Sequence, residues 1–164
     1  MTDTPATRAV AASGLTHEVV EYGRASSVED AADRRGVALH SVIKSIVVRR
    51  GEGDLLLVLV PGDRVIDWAK LRAHLGVSRM SLADGDEAFA ATGYRPGTIT
   101  PFGSATALPV IADASMGGLA SIGGGAHGMA INLDASDLIE HLGAVVADVT
   151  KTQEPRTKSQ DADS

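Results

Sequence analysis

"HSVIKSIVVRRGEGDLLLVLVPGD", His40 to Asp63, decides the fold. Two runs rich in β-branched residues and leucine flank the triplet Gly51-Glu52-Gly53, the composition of two strands paired across a glycine-rich turn. A strand period of two separates the first run into two faces. Ser41, Ile43, Ser45 and Val47 share one; His40, Val42, Lys44, Ile46 and Val48 share the other. Lys44 thus falls on the face with the more continuous apolar set. A lysine is tolerated there when it is paired, when it snorkels past Val42 and Ile46 to water, or when it faces a cavity.

Working outward, the period keeps switching, the mark of a mixed α/β domain. "HEVVEY" (His17–Tyr22) reads as a strand. "SSVEDAADRRG" reads as a helix capped by Ser27, with Arg34 and Arg35 in its last turn and Gly36 as its stop. After the hairpin, "VIDWAKLRAHLG" has helical spacing at Val65, Ile66, Ala69, Leu71 and Leu75 before Gly76. "SRMSLA" reads as a short strand and "DGDEAFAATG" as a short helix ending at Gly93. "ALPVIAD", "GLASIG" and "GMAINLD" are three further short strands, followed by a capped helix in "SDLIEHLG" and a closing strand in "AVVADV". The expectation is one compact α+β domain over residues 14–150, a mixed curved sheet or partial barrel of about seven strands flanked by helices. Residues 1–13 read as a flexible arm and 151–164 as a disordered tail.

The 164 residues suffice for a single core, built from Val, Leu, Ile and Ala because aromatics supply only 3%. With no cysteine, disulfides, thiolate metal sites and a cysteine nucleophile are excluded. The N-terminal residues carry no signal-peptide pattern, and the longest apolar run, Leu55 to Pro61, is far too short to span a bilayer. A cytoplasmic protein that makes no membrane contact is expected. Net charge is −6, which argues against a protein gripping nucleic acid mainly by phosphate neutralisation. Lys and Arg nevertheless concentrate between Arg34 and Arg95, whereas Pro101 to Thr150 contains neither, so one face can be basic.

Several familiar motifs fail on context. Lys44-Ser45 lacks the preceding glycine of a P-loop, since Ile43 stands there. "GGGAHG" (Gly123–Gly128) spells G-x-G-x-x-G, but "MAINLD" follows it as a strand. A dinucleotide site requires a helix at that point to hold the pyrophosphate. The five histidines show no metal-ligand spacing, and no serine sits in a nucleophile elbow. What remains is glycine. Nine of the 18 glycines lie between Gly93 and Gly128, seven of them in the loop "TGYRPGTITPFG" (Thr92–Gly103) and in the second cluster that holds His127. Such loops let backbone approach a ligand closely and offer it N–H and C=O groups. Two of them plus an inward lysine look like the walls of a site.

Three segments, "VIKSIVV" around Lys44, Gly97-x-x-x-Pro101, and "GGGAHG" before "MAINLDASDLIEHLGAVVADV", together resemble the YbaK/prolyl-tRNA synthetase editing-domain family. The resemblance covers roughly residues 15 to 150. It implies a free-standing aminoacyl-tRNA deacylase that hydrolyses the ester joining a wrong amino acid to the 3′-terminal adenosine, with no cofactor or metal. Lys44 matches the family's functional lysine, and with Gly97 it forms the implied catalytic pair. Thr98, Ile99, Thr100 and Pro101 continue the loop that lines the amino-acid pocket; Gly124, Gly125, His127 and Gly128 fall in the second loop. Ala126 and His127 stand where several members carry basic side chains, and Ser45 replaces a common threonine.

An aminoacyl ester is already activated, so its hydrolysis needs a placed water and a polarised carbonyl rather than a covalent nucleophile. The implied partners are the 3′ acceptor end of an aminoacyl-tRNA and an aminoacyl-tRNA synthetase that delivers it, with the chain a monomer or weak homodimer. Two other readings stand beside this one: a non-catalytic module of the same fold that captures aminoacyl-tRNA or a synthetase, and a nucleotide-binding protein built on "GGGAHG".

Overall fold

The computed structural model describes residues 3–153. The hairpin is at its centre. Strands β2 (Ile43–Gly51) and β3 (Asp54–Pro61) pair antiparallel, with Lys44 opposite Val60 and Val48 opposite Leu56, and a register shift at the Arg49–Gly51 end. The remaining elements, in chain order, are α1 (Pro5–Ser13), β1 (His17–Glu21), α2 (Val28–Arg35), a 3₁₀ turn (Leu39–Ser41), β4 (Arg64–Ile66), α3 (Trp68–Leu75), β5 (Ser81–Leu82), α4 (Gly85–Thr92), β6 (Val110–Asp113), β7 (Leu119–Gly123), β8 (Met129–Asp134), α5 (Ala135–Leu142), β9 (Val145–Ala147) and β10 (Thr150–Thr152).

The strands form a five-stranded sheet in the order β5-β2-β3-β6-β9, a three-stranded sheet β1-β8-β7, and the pair β10-β4. The large sheet is mixed: β6 runs parallel to β3 and to β9, while β2 is antiparallel to both its neighbours. A parallel bridge from Val42 to Ser121 joins the start of β2 to β7, so the two larger sheets meet there. This is the expected α+β domain with a mixed sheet, with ten short strands among the described residues rather than about seven.

The two faces of the hairpin serve two cores. Ile43, Val47, Leu57 and Leu59 pack with Ile122 and Ile131 of the three-stranded sheet and with Leu138 of α5. Val48, Leu56, Val58 and Val60 pack with Ile66, Leu71 and Val149. Lys44, opposite Val60, therefore ends the row that faces the second core.

All five α-helices start at a side chain that caps a backbone N–H (Thr4, Ser27, Asp67, Asp84 and Asp134) and stop at a left-handed glycine (Gly14, Gly36, Gly76, Gly93 and Gly143). The cap at Asp67 corrects one boundary: Val65 and Ile66 belong to β4, and the helix begins only at Trp68. The expected closing strand in "AVVADV" is shorter than the segment, and a further strand follows it. Val145–Ala147 pairs with β6, the chain then turns, and Thr150–Thr152 pairs with β4. The expected tail thus begins in a strand, Thr150–Thr152, and from residue 154 onward it lies outside the described residues.

The largest correction is the N-terminal arm. Pro5–Ser13 is a helix whose Ala6 and Val10 are fully buried in the first core. Thr4 caps it reciprocally with Thr7, and the Thr4 hydroxyl donates to the Gly124 carbonyl at 2.6 Å. Thr4→Ala removes both the cap and that bond. It is expected to lower stability by about 1–2 kcal/mol, read as a lower urea midpoint at unchanged slope.

Candidate functional site

A cavity of about 440 Å³ opens at the junction of the two larger sheets. Its floor is the start of β2, Val42 to Ser45; its walls are the start of α2, the loop residues Gly97 to Ile99, and the β7–β8 connection from Ala126 to Met129. The residues expected from sequence divide in two. Lys44, Gly97, Thr98, Ile99, His127 and Gly128 meet at this cavity. Thr100, Pro101, Gly124 and Gly125 do not line it.

The loop explains the division. Gly97 has φ +89°, a conformation that favours glycine, and Thr98 turns back so that both its N–H and its hydroxyl donate to the Arg95 carbonyl, at 3.0 and 2.8 Å. The Gly97 and Ile99 N–H groups bond to nothing within the described residues. Thr100 turns inward, 1% exposed, and with Pro101 it lines a separate cavity of about 200 Å³ behind the loop, beside Leu108, Val110 and His141. Its hydroxyl has no hydrogen-bond partner among the described residues. The far end of the loop is pinned where the Tyr94 hydroxyl donates to the Phe102 carbonyl at 2.6 Å. Burial pushes that phenol up to about 12.

The second glycine cluster is a hairpin connection. Gly124 N–H donates to the Met129 carbonyl at 2.9 Å and Met129 N–H to the Ala126 carbonyl at 3.3 Å, closing a tight turn between antiparallel β7 and β8. No helix follows, so the G-x-G-x-x-G spelling has none of the geometry of a dinucleotide site and the nucleotide-binding reading falls. Gly124 and Gly125 are structural: a side chain on Gly124 would overlap Met129, and one on Gly125 would press on Thr4 and Tyr94. Gly128, at φ +78°, lies where a Cβ would stand 2.8 Å from the Gly23 carbonyl carbon, which brings β8 against the β1–α2 connection. His127 is exposed at the rim, its ring against Gly97.

Lys44 is half-buried, and its Nζ donates to the Arg64 carbonyl at 2.6 Å. Burial holds its amine below the ordinary lysine value, opposed by the nearby carboxylates of Asp63 and Glu29. Sequence reading missed the wall made by α2. Arg35 reaches back along the cavity, donating to the Ser121 carbonyl at 3.0 Å and to the Tyr22 hydroxyl at 3.1 Å, with its guanidinium 5.1 Å from the Tyr22 ring centre. Its place in a last helical turn reads as a dipole partner; only the fold shows it as a tether between α2 and the three-stranded sheet.

The site is thus a cavity with one half-buried lysine on its floor, set at the junction of two sheets in a small α+β domain. The chain belongs to the aminoacyl-tRNA editing domain family, whose profile matches residues 23–150. It is 33% identical over 123 residues to a proline--tRNA ligase of Xanthomonas oryzae pv. oryzae, covering 75% of this chain and 21% of that one. A proline--tRNA ligase of Trichlorobacter lovleyi is 32% identical over 87 residues, 53% of this chain and 15% of that one. The chain thus spans about a fifth or less of the length of these synthetases. A solved structure described as a candidate trans-editing enzyme for prolyl tRNA synthetase superposes with a TM-score of 0.83 at 26% identity, covering 92% of this chain and 99% of that one. Among the described residues, no helix is long and apolar enough to cross a membrane.

Proposed function

We propose that this chain is an aminoacyl-tRNA deacylase that acts in trans, in the cytoplasm, on tRNA carrying a wrong amino acid. The observation that carries the reading is the single cavity that gathers Lys44, the Gly97–Ile99 backbone and the His127–Gly128 rim. The 3′-terminal nucleotide enters past Lys44, whose ammonium offers charge to its phosphate or ribose side. The free N–H groups of Gly97 and Ile99 face the aminoacyl group and polarise the ester carbonyl as charge builds on its oxygen. A water adds to the carbonyl carbon, the bond to the ribose oxygen breaks, that oxygen takes one of the water's protons, and the amino acid leaves as its carboxylate with the other proton released to solvent. The substrate's own hydroxyl or amino group assists the water, since no side chain of the cavity is placed as a nucleophile with a general base.

Selection in this scheme is steric. One methylene is worth only about 1–3 kcal/mol in a pocket, so a second sieve that admits small side chains adds what the synthetase lacks. The acidic chain gains its tRNA through a synthetase partner and works as a monomer or weak homodimer. The test is a panel of mischarged tRNAs incubated with the protein: release of one or a few small amino acids supports the assignment. Binding without release would overturn it in favour of a capture module. Ala126 and His127 give that second reading its support, because they offer no fixed cation at the rim.

A further inference from the structure

The acceptor that holds Lys44 is a main-chain carbonyl, that of Arg64, the first residue of β4, directly after the Gly62–Asp63 turn that leads from β3. That turn is gripped from two sides. On one side His40, in the 3₁₀ turn, places Nδ1 2.7 Å from an Asp63 carboxylate oxygen and Nε2 2.9 Å from the Ser115 carbonyl. A carboxylate oxygen and a carbonyl are both acceptors, so the two contacts are satisfied together when both ring nitrogens carry a proton, and the geometry favours the imidazolium form of His40. The backbones also touch: a Cβ on Gly62 would stand 2.5 Å from the Leu39 carbonyl oxygen, leaving no room between the turn and the segment that carries His40.

On the other side is Asp113, a carboxylate 1% exposed for which the deacylation scheme has no use. One of its oxygens accepts from the Ser115 N–H at 3.0 Å and from the Ser115 hydroxyl; the other accepts from Val149 N–H at 3.2 Å. Arg64 Nε lies 3.8 Å from the first oxygen and donates to the Thr150 hydroxyl at 2.6 Å. One buried carboxylate thus sets both the loop that presents the Ser115 carbonyl to His40 and the side chain of the residue whose carbonyl takes Lys44.

We propose that His40, Asp63 and Asp113 form a clamp that fixes the Gly62–Asp63 turn, with Arg64 directly after it, and so positions Lys44 for catalysis. None of the three lines the cavity, so they are positioning residues. The inference rests on the deacylase reading only for its activity readout.

The charged groups around His40 are Asp63 and Arg64; Glu29 and Asp63 face Lys44. The Ser115 carbonyl raises the His40 value most, burial opposes it, Asp63 adds to the rise and Arg64 opposes. Burial pushes Asp113 up, but the Ser115 hydroxyl, with the N–H groups of Ser115 and Val149, outweighs it and leaves the carboxyl below its ordinary value. A raised histidine value means that the grip is complete below the ordinary 6.5 and is lost as pH rises through the raised value. His40 and Asp63 side chains are 39% and 44% exposed, so the pair adds little to stability and its replacement leaves the domain folded.

The experiment follows the Lys44 Cε signal by NMR in the isotopically labelled full chain, assigned through Lys44→Arg, alongside deacylation across pH in wild type, His40→Gln and Asp63→Asn. In the wild type the Lys44 signal shifts as His40 titrates, and both variants lose that shift. The variants also lose about tenfold in kcat with KM nearly unchanged, because positioning rather than binding is impaired. A Lys44 signal indifferent to His40, or a variant with the wild-type pH profile, overturns the clamp. If the wild type releases no amino acid, the deacylase reading fails, and the NMR titration still decides the clamp by itself.

Discussion

Lys44→Ala is expected to abolish deacylation, a loss of about a hundredfold or more, with the fold retained. The ammonium stands on the cavity floor, apart from the Arg35 guanidinium that is tied to Ser121 and Tyr22 along the wall, and it sits where burial makes an electrostatic contact stronger than it is in water. Removing it leaves the Arg64 carbonyl without its donor, at a cost of about 1 kcal/mol, small against the stability of a domain of this size. Circular dichroism and urea unfolding then match the wild type within that margin while turnover of mischarged tRNA disappears. Lys44→Arg does not restore activity. A planar guanidinium cannot occupy the same point as a compact ammonium bonded to one carbonyl. Wild-type turnover by Lys44→Ala would remove the lysine from the mechanism.

Gly97→Ala carries the second large effect, and it separates two causes. A Cβ at Gly97 would meet His127 Cε1 at 3.3 Å, a contact that an exposed, flexible ring relieves by turning away. The backbone at φ +89° offers no such relief. Alanine there is strained by about 1–3 kcal/mol, so the loop rotates and carries the Gly97 and Ile99 N–H groups off the ester. Deacylation is expected to fall at least tenfold, and the double variant Gly97→Ala/His127→Ala is expected to stay as impaired as the single one. Recovery in the double variant would show that the steric contact, not the backbone conformation, set the cost. Initial rates on a single mischarged tRNA distinguish the outcomes.

Much of this was legible because the sequence carries strong local signals. The hairpin, the cap at Ser27 and the stops at Gly36, Gly76 and Gly93 all lie where pattern and turn chemistry put them. Lys44 stood out because it breaks an apolar row. The misses are where long-range contact overrides local preference. Pro5–Ser13 is helical because Ala6 and Val10 find the first core and Thr4 finds Gly124, contacts that composition does not announce. Val65 and Ile66 fit a helical period, yet pairing with β10 draws them into a strand. Within the site, G-x-x-x-P looked like one functional unit. The turn at Thr98 divides it, sending Gly97 to Ile99 toward the cavity and Thr100 and Pro101 away from it. Arg35 and the His40–Asp63–Asp113 group were invisible because their meaning lies largely in partners up to 86 residues distant.

The space behind the loop bears on how sharp a sieve the proposed deacylase would be. A wall discriminates by refusing to yield, and close-packed protein interior is nearly incompressible. Here the wall is backed, beneath Thr100 and Pro101, by about 200 Å³ without protein atoms. A slightly oversized guest therefore meets a spring rather than a rock, and the width of the gate is set partly by residues that never touch what passes through it. Leu108 and Val110 are such residues. Under the deacylase proposal, selectivity would drift, or be tuned, from the far side of the wall.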